Sequence, residues 1–574
     1  MKSKYIDLME KALSAYSDEH ILKYFNDVKQ NGLTEHGFPR LTANIGILIS
    51  YGRRVDLLSI FIEMMDFCCE TIPNVIAAND FSVREIICCM REVEKAGIVS
   101  KEKLDYWRKC FMAIEPEKCY NQFAKTPTDY VRNVALFTGV SEYFRMEYGI
   151  GGDINFIELQ LLQQLQWFDE NCMYCDNAYN EMYQHAMYDL APRGLYSLIL
   201  NEGYRGKHYH AIDEILKKAG LLTLDMQSPN GECAFGGRSN QFVHCEAWLI
   251  AILEFEAKRY VREGNIKLAK RFKAASARAF AVIESWLNKT PIRHIKNRFP
   301  TQTQFGCEHY AYFDKYMITV ASNLYASYLI CDDSIEFDEE LDHYSCVAET
   351  SKYFHRFFMK AGGYGLQFDL DADPDYDANG LGRVHLENAP STICMSCPCP
   401  AHPKYVVDIE NPFAFSLCSA IPTINGWCFG AEEQRKYKVI ESKADKDSAQ
   451  ATLLCVFDNE NAVYESYFVD KNGVSVSVEG NGKIGYTLPA FCFDGEIEPK
   501  IIAKKNFLEV YYNGWVCRYT TNGEILNLNK VAANRNGRYQ VYLATAPTKL
   551  NVKIEINKYK ASGEVWQIYL IKRE

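Results

Sequence analysis

Residues 462–482 read AVYESYFVDKNGVSVSVEGNG. Apolar and polar residues alternate through both halves of this stretch, the period of a strand with one face on a core. Asn472-Gly473 stands between the halves and supplies the positive-φ positions of a tight hairpin turn. The pair recurs at Asn481-Gly482, Asn513-Gly514, Asn522-Gly523 and Asn536-Gly537, between runs such as FLEVYYNGWVCRYTT (507–521), RYQVYLATA (538–546) and EVWQIYLIKRE (564–574). Strands repeated at this spacing predict an antiparallel β-sandwich domain over residues 341–574.

Upstream the period changes. RRVDLLSIFIEMMDFCCETI (53–72), FIELQLLQQLQWFDENCM (156–173) and the 246–287 run EAWLIAILEFEAKRYVREGNIKLAKRFKAASARAFAVIESWL place apolar residues three and four apart. That is the helical period, and roughly ten to twelve such segments fill residues 1–340. No βαβ alternation and no glycine-rich phosphate loop occurs, which excludes the common nucleotide-binding folds. The predicted class is α+β multidomain: an N-terminal (α/α) toroid of paired helices, then the β domain. A polar, loop-rich junction is expected at 362–405.

Composition narrows the function. The 574 residues are 48% hydrophobic and 24% charged, the balance of a globular protein, and the net charge of -11 argues against a nucleic-acid partner. No apolar run is long enough for a membrane helix, and MKSKYIDLMEKALSAY has no signal-peptide core, so a cytoplasmic protein with no membrane partner is expected. The 21 cysteines, scattered and partly adjacent, fit reduced, buried thiols. Aromatics reach 13%, led by 38 tyrosines, whose apolar face and hydroxyl suit sugar rings as well as core rims.

Four clusters carry the chemistry. In SPNGECAFGGRSNQFVHCEAW (228–248), Gly236-Gly237 break the chain before Arg238, Ser239, Asn240 and Gln241, and His244 and Glu246 open a long helix. A guanidinium beside a helix start is suited to a carboxylate, though a capped helix with a surface arginine accounts for the same letters. In KNRFPTQTQFGCEHYAYFDKYMIT (296–319), Glu308, His309, Tyr310, Tyr312, Lys315 and Tyr316 form either a proton-transfer set or an aromatic rim. NAYNEMYQHAMYDLAPRG (177–194) offers Tyr183, His185, Tyr188 and Asp189 as sugar-contacting residues, and DYVRNVALFTGVSEYFR (129–145) offers Asn133 at a helix entrance. In a ring of helix pairs such entrances gather on one face. Cys394, Cys397, Cys399 and His402 have partial zinc spacing, and Asp369 to Asp377 partial calcium spacing; both are incomplete, and no metal or other cofactor is expected.

The segments 228–248, 296–317 and DANGLGRVHLENAPS (377–391) resemble those of bacterial (α/α) toroid plus β-sandwich polysaccharide lyases, the heparinase II/III-like group, and uronate-active relatives such as rhamnose–glucuronate lyases. The resemblance implies that Arg238, Asn240 and Gln241 hold a uronate carboxylate. It also implies that Tyr310 is base or acid with His244 or His309 as partner, and that His385 reaches across the cleft from the β half. The group's export signal and its histidine-plus-aspartate zinc set are not evident. The expected activity is cleavage of a short uronate-containing oligosaccharide by β-elimination. The alternatives are a glucuronidase-like hydrolase using acids from Glu246, Asp189, Glu308 and Asp314, and a non-catalytic glycan-binding protein.

Overall fold

A computed structural model describes residues 2–176, 182–337, 344–458 and 461–559. Six helices form a closed ring: Gly37–Ser50, Val83–Ala96, Val134–Glu147, Ala186–Asn201, Cys245–Arg262 and Phe313–Ile330. Each touches the next, and the last packs on the first. These helices are buried almost all round, in keeping with their scant polar stripe. Gly194 permits one close crossing, since a Cβ there would sit 2.3 Å from the Trp248 ring. Amphipathic helices surround the ring. Lys101–Met112 buries Leu104, Trp107 and Phe111, and Ile266–Leu287 packs along Cys245–Arg262. Asp18–Asn31, Leu58–Thr71, Lys101–Met112, Ile154–Leu165, Tyr209–Met226 and Ile266–Leu287 each lead to or from an inner helix, which makes the unit an (α/α) toroid. Among the described residues, no helix is long and apolar enough to cross a membrane.

The ring's N-terminal entrances do gather on one face. His36 lies 5.0 Å from Phe81, Phe81 4.7 Å from Phe137, and Phe137 6.4 Å from Trp248, ring centre to ring centre. Phe242, His244 and Tyr316 continue the belt.

Beyond Ile330 the described chain is β, from Cys346 onward, in three antiparallel sheets. The first holds Cys346–Glu349, Arg356–Ala361, Tyr364–Asp369 and Gly380–Leu386 in sequence order. An eight-stranded sheet and a five-stranded sheet share one apolar core with it. The expected junction loop therefore contains two full strands, Tyr364–Asp369 and Gly380–Leu386. They are covered on both faces, so they carry no alternation for the sequence to display.

Three of the five Asn-Gly pairs mark hairpins. Their two-residue loops are Lys471-Asn472, Asn513-Gly514 and Arg535-Asn536. Asn481-Gly482 and Asn522-Gly523 instead carry the chain from the eight-stranded to the five-stranded sheet. The predicted strand at 564–574 lies outside the described residues.

Candidate active site

The segment Cys233–Val243 joins two toroid helices and passes beneath the first β sheet. Phe235 is clamped at both backbone groups by the Gln367 amide, at 3.0 and 2.7 Å. Gly237 N–H donates to Asp377 Oδ2 at 2.7 Å, and Gly236 O accepts from Ala186 N–H at 3.1 Å. Gly237 has φ +74°, and a Cβ on it would lie 2.1 Å from His185 Nδ1. Ser239 and Gln241 are left-handed without being glycine, with φ of 53° and 66°. Such backbone costs on the order of 1–3 kcal/mol per residue and persists only where the surroundings fix it. Here Ser239 N–H donates to Glu308 Oε1 at 2.8 Å, and Gln241 O accepts from Lys296 N–H at 3.0 Å.

Glu308 is in turn fixed from the β half. Arg535, 2% exposed, forks onto both its oxygens at 2.7 and 3.1 Å and donates to Gly306 O at 2.7 Å and Gly237 O at 3.4 Å. Arg535 occupies the two-residue turn of a β hairpin, and its neighbour Asn536 donates to Lys296 O at 2.6 Å. The turn is thus a peg that joins the β domain to the toroid's loops.

Arg238 projects from this braced loop between Tyr188 and Tyr310, its guanidinium carbon 5.5 and 5.4 Å from their ring centres. Among the described residues no carboxylate lies within ion-pair distance of it. The buried arginines around it are committed: Arg356 to Asp369 and Asp377, Arg193 to Asp189, Arg535 to Glu308. The Tyr310 hydroxyl lies 2.9 Å from Ser239 Oγ, and the Tyr310 ring 6.1 Å from that of Tyr316. The His185 ring packs 5.7 Å from Tyr188 and 5.6 Å from Tyr376. Burial, aided by Arg238, Arg356 and Arg535, holds His185 down to about 3, so its imidazole is neutral. Its buried Nδ1 has no hydrogen-bond partner among the described residues. Burial raises Tyr188 and Tyr376, so both are protonated at neutral pH. A cavity of about 600 Å³ lined by Tyr120, Gln122, Phe123, Tyr130 and Arg132 opens before the helix Val134–Glu147, next to the buried Asn133.

The structure therefore brings Arg238, Tyr310, Tyr316, Tyr188 and His185 together. His244 stands behind them, stacked on Phe242 and 5.4 Å from Tyr316, and burial holds it down to about 3. Tyr312 caps the helix Phe313–Ile330, with Lys315 over its ring. Tyr183 packs against His355 of the β half, 5.9 Å away, and Asn177–Glu181 of its cluster lie outside the described residues.

Other expected residues have different surroundings. Asn240 and Gln241 are buried, Asn240 donating to Ala234 O and Gln241 to Asn240, so their amides brace the loop instead of reaching a carboxylate. Glu246 holds Lys296 at 2.7 Å, and Asp189 holds Arg193 and Tyr174 N–H. His309 is exposed. His385 is 1% exposed and bonded to Ser228 Oγ at 2.6 Å beside Asn230, a place at the base of the loop instead of across a cleft. The thiol of Cys394 meets Tyr519, that of Cys397 meets Asn536, and His402 is exposed; no group of three metal-ligating side chains occurs among the described residues. The aspartate run is absorbed by Arg356 and by backbone N–H groups.

The sequence reading missed Tyr376 and Arg535, and took Ser239 only as a helix cap. Arg535 stands directly before an Asn-Gly pair, and a charged residue at a turn predicts exposure. Only the docking of the hairpin on the toroid reverses that.

No protein-family model matches the chain, and no curated protein does. Its structural neighbours are heparinase III and chondroitinase AC lyases. The heparan sulfate lyase HepC mutant from Pedobacter heparinus is 7% identical, with a TM-score of 0.47 over 92% of this chain and 77% of that one. A heparinase III structure is 10% identical, with a TM-score of 0.44 over 91% and 77%. The chondroitinase AC lyase of the enzyme–oligosaccharide complexes is 7% identical, with a TM-score of 0.43 over 96% and 83%. A GH127 β-L-arabinofuranosidase from Geobacillus stearothermophilus T6 is also similar, with a TM-score of 0.33.

Proposed function

We propose that the protein cleaves a glycosidic bond next to a uronic acid in short oligosaccharides by β-elimination. The observation that carries this is Arg238: a guanidinium without a carboxylate partner among the described residues, held by a strained, braced loop between two tyrosines. A uronate carboxylate supplies the missing anion, and a forked contact withdraws charge from the adjacent carbon and acidifies its C–H.

Tyr310 takes that proton. It does so as the phenolate, its own proton having first passed to water, and the phenolate oxygen accepts a hydrogen bond from Ser239 Oγ, 2.9 Å away. The C–H electron pair becomes the C=C bond, the C–O bond breaks, and the departing oxygen takes a proton from Tyr310 or from Tyr188. No water is added. His185, neutral and with a buried nitrogen that has no partner among the described residues, receives a sugar hydroxyl or relays the proton.

The acids open to a hydrolase support this reading over that one. Glu246, Asp189 and Glu308 are each buried in an ion pair, and Asp314 pairs with His20 at 2.8 Å. A hydrolytic pair needs two carboxyl groups facing the scissile bond.

The test is incubation with glucuronate- and galacturonate-containing oligosaccharides, following ultraviolet absorbance and product mass together. A conjugated-alkene signal with no water in the products is expected. Cleavage with water added and no such signal would overturn the mechanism, and binding without cleavage would overturn the enzyme.

A further inference from the structure

The outer face of the eight-stranded sheet carries a second candidate site that the proton-transfer cluster does not use. In the strand registers, Glu441, Thr452, Ser466, Ser477 and Asn551 are successive cross-strand partners, and Asn522 closes the row through 2.8 Å from its Oδ1 to Asn551 N–H. Two residues along, Lys443, Gln450, Phe468, Ser475, Lys553 and Thr520 form a parallel row. The alternate residues of the same strands, among them Ala451, Tyr467, Val476 and Val552, face the core. The two rows bound a trough of about 890 Å³. It crosses six strands, so at about 4.8 Å per strand it runs about 24 Å, the length of about four or five linked pyranoses.

The lining is that of a polyhydroxyl site. Serines at the centre leave the floor low, and Thr452 Oγ1 already trades hydrogen bonds with Glu441 and Ser466 at 3.2 Å each. The Phe468 ring is 42% exposed in mid-trough, a flat apolar platform among hydroxyl and amide groups. Lys443 stands at one end, in the row beside Glu441, with no carboxylate in ion-pair range among the described residues, and Lys553, one strand in from Thr520 at the other end, pairs with Glu555 at 2.9 Å. Hydroxyl and amide groups in rows and one aromatic face together match a linear sugar chain.

We propose that this trough is a second, non-catalytic oligosaccharide-binding site, taking about four to five sugars of a uronate-containing chain. The acidic class of the sugar rests on the function proposed above; the trough itself does not.

The experiment is calorimetric titration of the full chain carrying Tyr310→Phe with chondroitin, heparan and galacturonan hexasaccharides, and with neutral cellohexaose. Two sites per chain are expected for one of the acidic hexasaccharides. Ser477→Trp should remove one of them, and Arg238→Ala the other. Phe468→Ala should weaken the trough site at least tenfold, a second variant that leaves the floor of the trough intact. A single site lost only with Arg238→Ala would overturn the trough and leave the cleavage reading standing. A single site lost only with Ser477→Trp would support the trough and overturn the Arg238 assignment. No binding at all would overturn the trough, and cellohexaose binding as tightly as the acidic chains would overturn the acidic class.

Discussion

Replacing the half-buried Arg238 by methionine separates function from stability. Arg238 forms no ion pair within the described fold, so its removal strands no buried carboxylate. What is lost in the free protein is the contact with the Tyr188 and Tyr310 rings at 5.5 and 5.4 Å, worth about 0.5–1 kcal/mol each, and methionine returns part of that by packing. The variant should therefore unfold within a few degrees of the parent. Turnover should behave differently. A forked guanidinium–carboxylate contact is two charge-assisted hydrogen bonds, each worth about 1.5–3 kcal/mol. Because negative charge grows on the carboxylate as the C–H proton leaves, most of that contact acts on the transition state. A loss of about 3–4 kcal/mol corresponds to about 10²–10³ in kcat/KM. Arg238→Lys keeps the charge but not the fork, and should fall between the two. The assay is the initial rate of alkene absorbance on the best uronate oligosaccharide, beside a thermal unfolding scan. An Arg238→Met enzyme within tenfold of the parent would refute carboxylate neutralisation by this residue. A collapse of stability would refute the claim that Arg238 is uncommitted.

Tyr310→Phe should cost 10²–10⁴ in kcat with little change in KM, as proton transfer is lost and packing kept; retained turnover removes Tyr310 from the chemistry. Arg535→Met leaves Glu308 buried and unpaired, an expected loss of about 3–5 kcal/mol, and adding Glu308→Gln should recover most of it; a double variant no better than the single refutes the peg, as read from urea midpoints. Gly237→Ala forces a Cβ to 2.1 Å from His185 Nδ1 at a φ of +74°, and should lower kcat by more than tenfold in a folded protein, checked by kinetics beside circular dichroism. Burial holds His185, His244 and His385 down to about 3 and His294 to about 4. The unfolded chain binds those protons near the ordinary value, about 6.5. Stability is therefore full above pH ~6.5 and lost as the pH falls toward 4, by about 1.4 kcal/mol per pH unit for each histidine; denaturant midpoints unchanged between pH 7 and 5 would contradict this.

The two-part layout was legible in the letters, because hydrophobic period is a local property. Residues three and four apart share a helix face and residues two apart share a strand face, whatever the rest of the chain does. The clustering of polar motifs at helix entrances was legible for the same reason. Strands Tyr364–Asp369 and Gly380–Leu386 were not, since burial on both faces erases the alternation that marks a strand. Identical Asn-Gly pairs also became two different things, hairpin turns and crossings between sheets, a choice made by which strand lies alongside.

For the candidate site the division is sharper. Sequence by itself marked Arg238, Tyr310, Tyr188 and His185 as chemistry-bearing residues on helix-entrance loops. It gave no basis for separating them from Asn240, Glu246 or Asp189, which have the same chemistry and equally suggestive neighbours. Tertiary structure made that separation by pairing. Glu246 met Lys296, Asp189 met Arg193, Glu308 met an arginine 227 residues away on a β turn, and Arg238 kept no anion among the described residues. An ion pair is set by distances of a few ångströms between residues far apart in the chain. Whether a charged side chain is spent on the fold or left for a ligand is therefore decided only when the chain has closed.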